Sequence, residues 1–264
     1  MALPSGAGIL QIGYADRRVR RSRVFHDFAS LGVPDAELTM PYSLWAFDSP
    51  DGVVLVDTGF DVAGAYWAGD ADWRTVPEAL DAVGIDPADV AAVLLSHLHF
   101  DHAGSLDLFR GAHILLSRRE HEHWTGRTAE ELRAGFVEPA HLEALGRADR
   151  DGRLVLIDGR FRATARATMI PAPGHTPGQM AVVVDAPGGR RILASDSVHL
   201  FEQLEHGWRF FAHDDAAQSD RSIGLLRRIS AATGAPIVPG HDIRVREQYP
   251  ALPGAAEGFA TILA

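Results

Sequence analysis

One short segment constrains this chain more than any other. Directly after the apolar run at residues 90–96, four metal-binding side chains occupy six positions: His97, His99, Asp101 and His102. A continuous apolar run of this length is typical of a strand buried inside a sheet. Imidazole nitrogens and carboxylate oxygens are ligands that zinc and similar divalent metals accept. A surface loop needs no such concentration of ligands, so the segment predicts a metal site at the end of a buried strand.

The spacing within this segment predicts how the ligands divide between metals. Side chains alternate along an extended chain, so His97 and His99 point to one side. Phe100 points the other way, towards the core or the wall of a pocket. The chain then turns, which lets Asp101 and His102 face a second metal.

Three further metal-binding side chains also follow predicted strands. His175 lies in the turn Pro-Gly-His-Thr-Pro-Gly, and Asp196 lies at the end of an apolar run. His241 follows a short run that ends in Pro-Gly. Glycine and proline favour tight turns that project the residue between them. Together with the first segment, they supply five imidazoles and two carboxylates. This set is large enough to hold two metals with a bridging water.

The rest of the chain alternates predicted strands with predicted helices. Strands are predicted at residues 42–49, 52–57, 90–96, 113–117, 153–158, 166–171, 179–185, 190–195 and 236–238. Helices are predicted from the cap Thr75 to near Gly84, after a cap at Ser117, over 128–145 with an interruption at Pro139, and from Ser219 to about Ala232. Without repeats or long linkers, this alternation favours one α/β domain over residues 1–264, with mixed sheets covered by helices.

Composition excludes several kinds of site and partner. The 264 residues include no cysteine, which rules out disulfides, thiolate metal ligands and a cysteine nucleophile. The formal charge of −10 argues against a nucleic-acid partner, and the basic residues 17–23 are interpreted as a solvated loop or a contact in a homodimer. We find neither a signal-peptide pattern nor an apolar run of roughly 18 residues, so we expect a cytoplasmic protein without a membrane partner.

The order of these motifs resembles the metallo-β-lactamase superfamily. The resemblance runs from Asp57-Thr58-Gly59, through the His-x-His-x-Asp-His segment at residues 97–102, to His241, and so covers nearly the whole chain. It implies an αββα sandwich of two mixed β-sheets flanked by helices. The metals would lie at one edge, between the two sheets.

The resemblance also implies a role for each candidate ligand. One metal would take His97, His99 and His175, the second would take Asp101, His102 and His241, and Asp196 would bridge them. Asp57 would orient a metal-bound histidine. Two divalent ions are therefore expected, with zinc as the default and manganese, iron or cobalt as alternatives.

Within the superfamily, residues 96–104 are most similar to the N-acyl homoserine lactonases. This similarity implies hydrolysis of a small-molecule lactone or ester by water activated between two metals. Asp101 would move a proton as well as bind metal. His199 stands where those lactonases have a tyrosine that donates a hydrogen bond to the substrate carbonyl. Its imidazole N–H is expected to do the same, with a charge that depends on pH.

Aromatic residues near the ligands are candidates for the wall of an acyl-chain pocket. They are Phe100, Phe201, Trp208, Phe210 and Phe211. The opposite wall is assigned to Phe25, Phe28, Tyr66, Trp67 and Trp73. The alternative for residues 200–212 is that their aromatic side chains only cover the core. His121 and His123 are interpreted as exposed, because they lie among charged residues.

Two other functions stay open on the sequence alone. The same centre would serve a hydrolase of another lactone, an ester or a β-lactam, because a fold does not fix a substrate. A protein of a different class, which binds metal for a regulatory purpose and has no turnover, would also use this ligand set.

Overall fold

Two mixed β-sheets pack face to face, and helices cover the outer face of each sheet. The core between the sheets includes Trp45 and Phe47 from the larger sheet and Met169 and Val182 from the smaller one. This αββα arrangement confirms the expected fold class. The structure is a computed structural model, and it describes residues 3, 6–254 and 258–264.

Short strands and short helices alternate along most of the chain. The strands are β1 (Ile9–Arg20), β2 (Glu37–Ser49), β3 (Gly52–Val56), β4 (Asp72–Trp73), β5 (Val90–Leu94), β6 (His113–Ser117), β7 (Leu154–Ile157), β8 (Phe161–Arg162), β9 (Ala167–Pro171), β10 (Met180–Val184), β11 (Arg191–Ser195), β12 (Ile237–Pro239) and β13 (Ala260–Ile262). The helices are α1 (Ala65–Ala68), α2 (Val76–Ala82), α3 (Phe100–Ala103), α4 (Arg118–Trp124), α5 (Ala129–Ala134), α6 (Pro139–Arg150), α7 (Phe201–Glu205), α8 (Ala216–Thr233) and α9 (Arg244–Gln248). In the described part of the chain, no helix is long and apolar enough to cross a membrane.

The order of the strands brings the ends of parallel strands to one edge. In the larger sheet the order is β13-β1-β2-β3-β5-β6-β7, with β4 paired to β1. In the smaller sheet it is β12-β11-β10-β9-β8. β3, β5 and β6 run parallel, as do β11 and β12. The segments that follow β3, β5, β11 and β12 carry most of the candidate ligands, so the topology itself gathers them.

A long hairpin of β1 and β2 extends the larger sheet beyond the core. The two strands stay paired as far as Arg20 and Glu37. The interpretation of residues 17–23 as a loop is therefore wrong, because residues 17–20 belong to β1 and Arg21–Arg23 forms a 3-10 turn. Closely spaced arginines interrupt the apolar–polar alternation by which a strand is recognised in a sequence.

Helix boundaries follow local capping contacts. Thr75 caps α2, as predicted. Ser117 precedes α4, but its side chain makes no capping hydrogen bond. The predicted start of the long helix at Ser219 is wrong. α8 begins at residue 216, because the Asp215 carboxylate accepts a hydrogen bond from the backbone N–H of Gln218 at 2.9 Å.

Gly178 allows the turn that carries His175 to lie directly on α4. A Cβ atom at Gly178 would lie 2.2 Å from the backbone nitrogen of Glu120, which cannot move aside like a flexible side chain. We therefore expect Gly178→Ala to lower the free energy of unfolding by about 1–3 kcal/mol, as overpacking does. Urea denaturation of the two proteins measures this difference.

Gly146→Ala is the matched control for that substitution. Gly146 lies inside α6, and a Cβ atom there meets only the flexible end of Arg150, at 3.6 Å. Alanine is the better helix former, so the control should raise the free energy of unfolding by up to about 1 kcal/mol. Equal losses in the two variants would contradict the close packing at Gly178.

Candidate metal centre

Seven buried polar side chains meet at the edge between the two sheets. The first four follow β5 and continue into α3, and the other three follow β9, β11 and β12. All seven fall into two separate groups of candidate ligands, one of three residues and one of four: His97, His99 and His175, and Asp101, His102, Asp196 and His241. The structure thus brings together every ligand that the sequence predicts.

Three imidazoles form the first group. One nitrogen from each of His97, His99 and His175 lies within 4.8 Å of the others. The Nε2 atom of His175 is 2.8 Å from Nδ1 of His99, and the buried Nε2 atom of His97 has no hydrogen-bond partner. Burial lowers the pKa of all three imidazoles below the ordinary value. Converging neutral imidazoles, one of them with an unpaired buried nitrogen, fit a divalent metal.

Two carboxylates and two imidazoles form the second group. Oδ2 of Asp101 lies 3.4 Å from Nε2 of His102 and 3.6 Å from Nε2 of His241. Asp196 completes the group. Burial opposes ionisation of the Asp101 carboxyl group, but His102 and His241 bring its pKa below the ordinary value. The group therefore offers anionic oxygens beside imidazole nitrogens, which suits a second divalent metal.

The carboxylate of Asp196 lies between the two groups. Its Oδ2 atom is 4.0 Å from Nε2 of His97 and 3.4 Å from Nε2 of His175. Its Oδ1 atom is 3.2 Å from Nε2 of His102 and 3.1 Å from Nε2 of His241. One carboxylate oxygen therefore faces each group, which is the geometry that a bridging ligand requires.

The outer nitrogens of the imidazoles are held by fixed acceptors. Nδ1 of His175 lies 2.9 Å from the carbonyl oxygen of Ala212, and Nδ1 of His241 lies 2.9 Å from that of Pro41. A proton on each Nδ1 atom leaves the lone pair of Nε2 facing the centre. These contacts set both the orientation of the rings and the nitrogen that can bind metal.

Asp57 holds the ligand segments of both sheets. Its carboxylate lies 2.8 Å from Nδ1 of His102, which is one of the candidate metal-binding histidines that the resemblance implies it could orient. It also accepts hydrogen bonds from the backbone N–H and the hydroxyl of Ser96, at 2.7 and 2.8 Å. The hydroxyl of Ser195, directly before Asp196, donates to it at 3.2 Å. Asp57 therefore ties the end of β5 to the end of β11.

Glu120 also holds two ligand segments together, and the sequence analysis did not predict this role. This buried carboxylate accepts hydrogen bonds from the backbone N–H of Leu98 and Gly178, at 3.2 and 2.8 Å, and from the Thr176 hydroxyl at 2.7 Å. Burial raises its pKa. It joins the segment that carries the first two histidines to the turn that carries His175. In the sequence it stands among charged residues of α4, a pattern typical of an exposed helix.

His199 lies beside the bridging carboxylate. Its Nε2 atom is 3.0 Å from Oδ2 of Asp196, and its ring stacks on Phe210 with 3.5 Å between the ring centroids. Burial lowers the pKa of His199 to about 4. With this pKa the imidazole is neutral near pH 7, and its charge depends on pH only in the acid range.

A cavity of about 560 Å³ opens onto the two groups. Of the five predicted pocket aromatics, Phe100, Phe210 and Phe211 line it. Phe201 and Trp208 lie outside its lining, which corrects their assignment. α7 turns Phe201 into the core between the sheets, with the Arg244 guanidinium 4.9 Å from its ring. Trp208 packs edge-on against Phe25, at 5.2 Å.

The opposite wall of the cavity also differs from the expectation. Of the residues assigned to it, Trp67 lines the cavity, and Tyr66 stacks on Trp67 at 3.9 Å. Phe25 and Phe28 pack in a separate small core, and Trp73 packs against Phe60. Lining residues that the sequence reasoning missed are Arg17, Val19, Ser22, Arg23, Val24, Met40, Tyr42 and Phe136. His121 and His123 are half-buried on α4 rather than exposed.

Comparisons with known proteins agree with this fold. The sequence profile of the metallo-β-lactamase superfamily matches residues 40–241. The chain therefore belongs to the metallo-β-lactamase superfamily. Within that superfamily it is 31% identical to the N-acyl homoserine lactonase AttM of Azorhizobium caulinodans, over 83% of this chain and 88% of that protein. It is 25% identical to an N-acyl homoserine lactonase of Bacillus cereus, over 80% of this chain and 84% of the relative.

Solved structures share the same fold. A quorum-quenching N-acyl homoserine lactone lactonase superposes with a TM-score of 0.73 at 24% identity, over 95% of this chain and 98% of that one. AidC, described as a dizinc quorum-quenching lactonase in complex with a product, superposes with a TM-score of 0.70 at 22% identity, over 89% and 86% of the two chains.

Replacement of Glu120 by glutamine tests its positioning role. Glutamine keeps the size of the side chain but removes the charge and one of the two acceptor oxygens. We expect Glu120→Gln to weaken metal binding by about 10- to 100-fold, as loss of a group that orients ligands commonly does. Competition with a chromophoric chelator measures the affinity.

The neighbouring Glu122 provides the control for this substitution. It lies on the same helix and is exposed. Glu122→Gln should bind metal like the unaltered protein. If the two variants bind metal equally well, Glu120 does not position the ligands.

Proposed function

We propose that this protein is a metal-dependent hydrolase that opens the lactone ring of N-acyl homoserine lactones. The observation that carries the proposal is the position of Asp196, with one carboxylate oxygen facing each group of candidate ligands. Such an arrangement suits a centre of two divalent ions, as in many metal-dependent hydrolases. The curated relatives named N-acyl homoserine lactonases support the choice of substrate.

The ligand set supports two zinc ions. Five imidazoles and two carboxylates match the nitrogen and oxygen donors that zinc binds, and the chain has no cysteine to favour softer metals. One structural neighbour is described as a dizinc lactonase. Manganese, iron and cobalt accept the same donors, so metal analysis of the purified protein decides among them.

The side chains at the centre have distinct tasks in the proposed reaction. Two bound divalent ions would activate a water molecule and polarise the ester carbonyl of the lactone. Asp196 would hold the two sites at a fixed separation. Asp101 would bind metal, accept a proton as the water attacks and return that proton to the leaving alkoxide. Because the leaving alkoxide is part of the ring, a single hydroxy acid is released.

His199 is suited to stabilise the developing oxyanion. As a buried neutral imidazole it retains one N–H donor at neutral pH. Its Nε2 atom lies 3.0 Å from Oδ2 of Asp196, and its Nδ1 atom has no hydrogen-bond partner among the described residues. A fixed donor in a water-poor site stabilises negative charge more than the same donor does in water. His199 would thus replace the tyrosine of the lactonases that the sequence resembles.

Replacement of single ligands tests the proposed centre. Asp196→Asn keeps the size of the side chain but loses its charge, and His97→Ala removes an imidazole from the first group. We expect each to bind fewer metal ions per chain and to lose the lactonase activity. Mass spectrometry of the metals and a pH-indicator assay with N-hexanoyl homoserine lactone measure the two quantities.

His113→Ala is the control for these variants, since His113 is exposed at the start of β6. It should retain both metal and activity. Full metal content and full activity in either ligand variant would contradict the assignment.

A substrate panel tests the proposed chemistry. We expect N-acyl homoserine lactones to be hydrolysed with a higher kcat/KM than simple esters or the β-lactam nitrocefin, with zinc, manganese, cobalt or iron bound. Preference for a β-lactam or an ester would replace the proposed substrate with that class. If the fully metal-loaded protein hydrolysed no compound of the panel, a metal-binding protein of regulatory function would be favoured.

A further inference from the structure

The outer half of the β1–β2 hairpin forms one wall of the cavity. Opposite residues of an antiparallel pair lie on the same face of a sheet, as do alternate residues of one strand. Arg17 is paired with Met40, and Val19 and Tyr42 lie two residues further along their strands. All four line the cavity. This wall therefore carries one cation and one hydroxyl among apolar side chains.

Among the described residues, the charge of Arg17 has no carboxylate partner. Its guanidinium lies 3.4 Å from the carbonyl oxygen of Trp67 and approaches the hydroxyl of Tyr42. Within the described ranges, no carboxylate oxygen lies within 4.0 Å of it. The preceding residue, Asp16, is paired instead with Arg246, at 2.8 Å. A half-buried guanidinium has five N–H donors, so most of them stay available to a ligand in the cavity.

Arg17 lies close to the metal centre. The centroids of the Tyr42 and His241 rings are 5.3 Å apart, and the two ring planes are nearly perpendicular. Because Arg17 approaches the hydroxyl of Tyr42, only one side chain separates the guanidinium from the second group of ligands. We therefore expect a substrate atom that meets Arg17 to lie nearer to the scissile bond than to the far end of an acyl chain.

We propose that Arg17 binds the amide carbonyl oxygen of an N-acyl homoserine lactone. This inference rests on the proposed function. In such a lactone, the amide is attached to the ring carbon next to the scissile carbonyl, which matches the short separation between Arg17 and the metal ligands. A guanidinium donates strong charge-assisted hydrogen bonds to acceptor oxygens. Val19 and Met40, on the same face, contact the first methylene groups of the acyl chain.

A carboxylate at the same place in a substrate would present the same acceptor chemistry. The experiment therefore compares three γ-lactones: N-hexanoyl homoserine lactone, an alkyl lactone of similar length without the amide, and a lactone with a carboxylate in place of the amide. Each is assayed with unaltered protein and with Arg17→Met, which keeps an unbranched apolar stem without the charge. Thermal melting and metal content verify that the variant is folded and loaded.

The expected result is a change in preference. In Arg17→Met, the ratio of kcat/KM for the amide lactone to that for the alkyl lactone should fall about tenfold, as loss of a hydrogen bond to a charged group implies. The loss should appear mainly in KM. Arg18→Met is the control, because Arg18 is exposed and lies on the other face of β1. Arg18→Met should leave the ratio of the two kcat/KM values unchanged.

Other results would overturn the assignment of Arg17. Equal losses on the amide and alkyl lactones would show that Arg17 acts on the centre and not on the amide. Unchanged kcat/KM values on both lactones would show that Arg17 contacts neither substrate. A fall confined to the carboxylate lactone would make it an anion site. If unaltered, metal-loaded protein hydrolysed none of the three lactones, the proposed function itself would fail, and this inference with it.

Discussion

The buried carboxylate of Asp57 joins the two sheets at the edge where the candidate ligands meet. It accepts hydrogen bonds from Ser96 at the end of β5 and from Ser195 at the end of β11, and it contacts His102 directly. A buried carboxylate without hydrogen-bond donors destabilises the folded state. The buried position of Asp57 therefore depends on all of these donors together. The same contacts fix the separation between the ligands of the two sheets, and the geometry of the whole centre follows from them.

Short-range sequence signals predicted which side chains meet at this edge. The buried strand before His97 and the glycine–proline turns around His175 and His241 each specify a local geometry, and the parallel strands bring these turns to one edge. The positioning residue Glu120 was not predictable in the same way. Its burial depends on contacts with Thr176 and Gly178, more than fifty residues away, that no local pattern reveals.

The wall of the cavity was predicted less well, for a related reason. Aromatic residues close to Asp196 in sequence were expected to face the cavity, but the unpredicted helix α7 turns Phe201 into the core. Arg17 was interpreted as solvated because it lies in a basic run, although its position on β1 directs it into the cavity. Which face of an element is buried depends on strand pairing, and the pairing of β1 with β2 was not visible in the sequence.

Anomalous diffraction from crystals of the zinc-loaded protein shows whether the seven side chains hold two metal ions. Data collected on either side of the zinc absorption edge locate the ions without reference to activity. We expect two peaks about 3.5–4 Å apart. One peak would lie among His97, His99 and His175, the other among Asp101, His102 and His241, with Asp196 between them. A single peak at the first group, with Asp196 bound on one side only, would contradict this expectation.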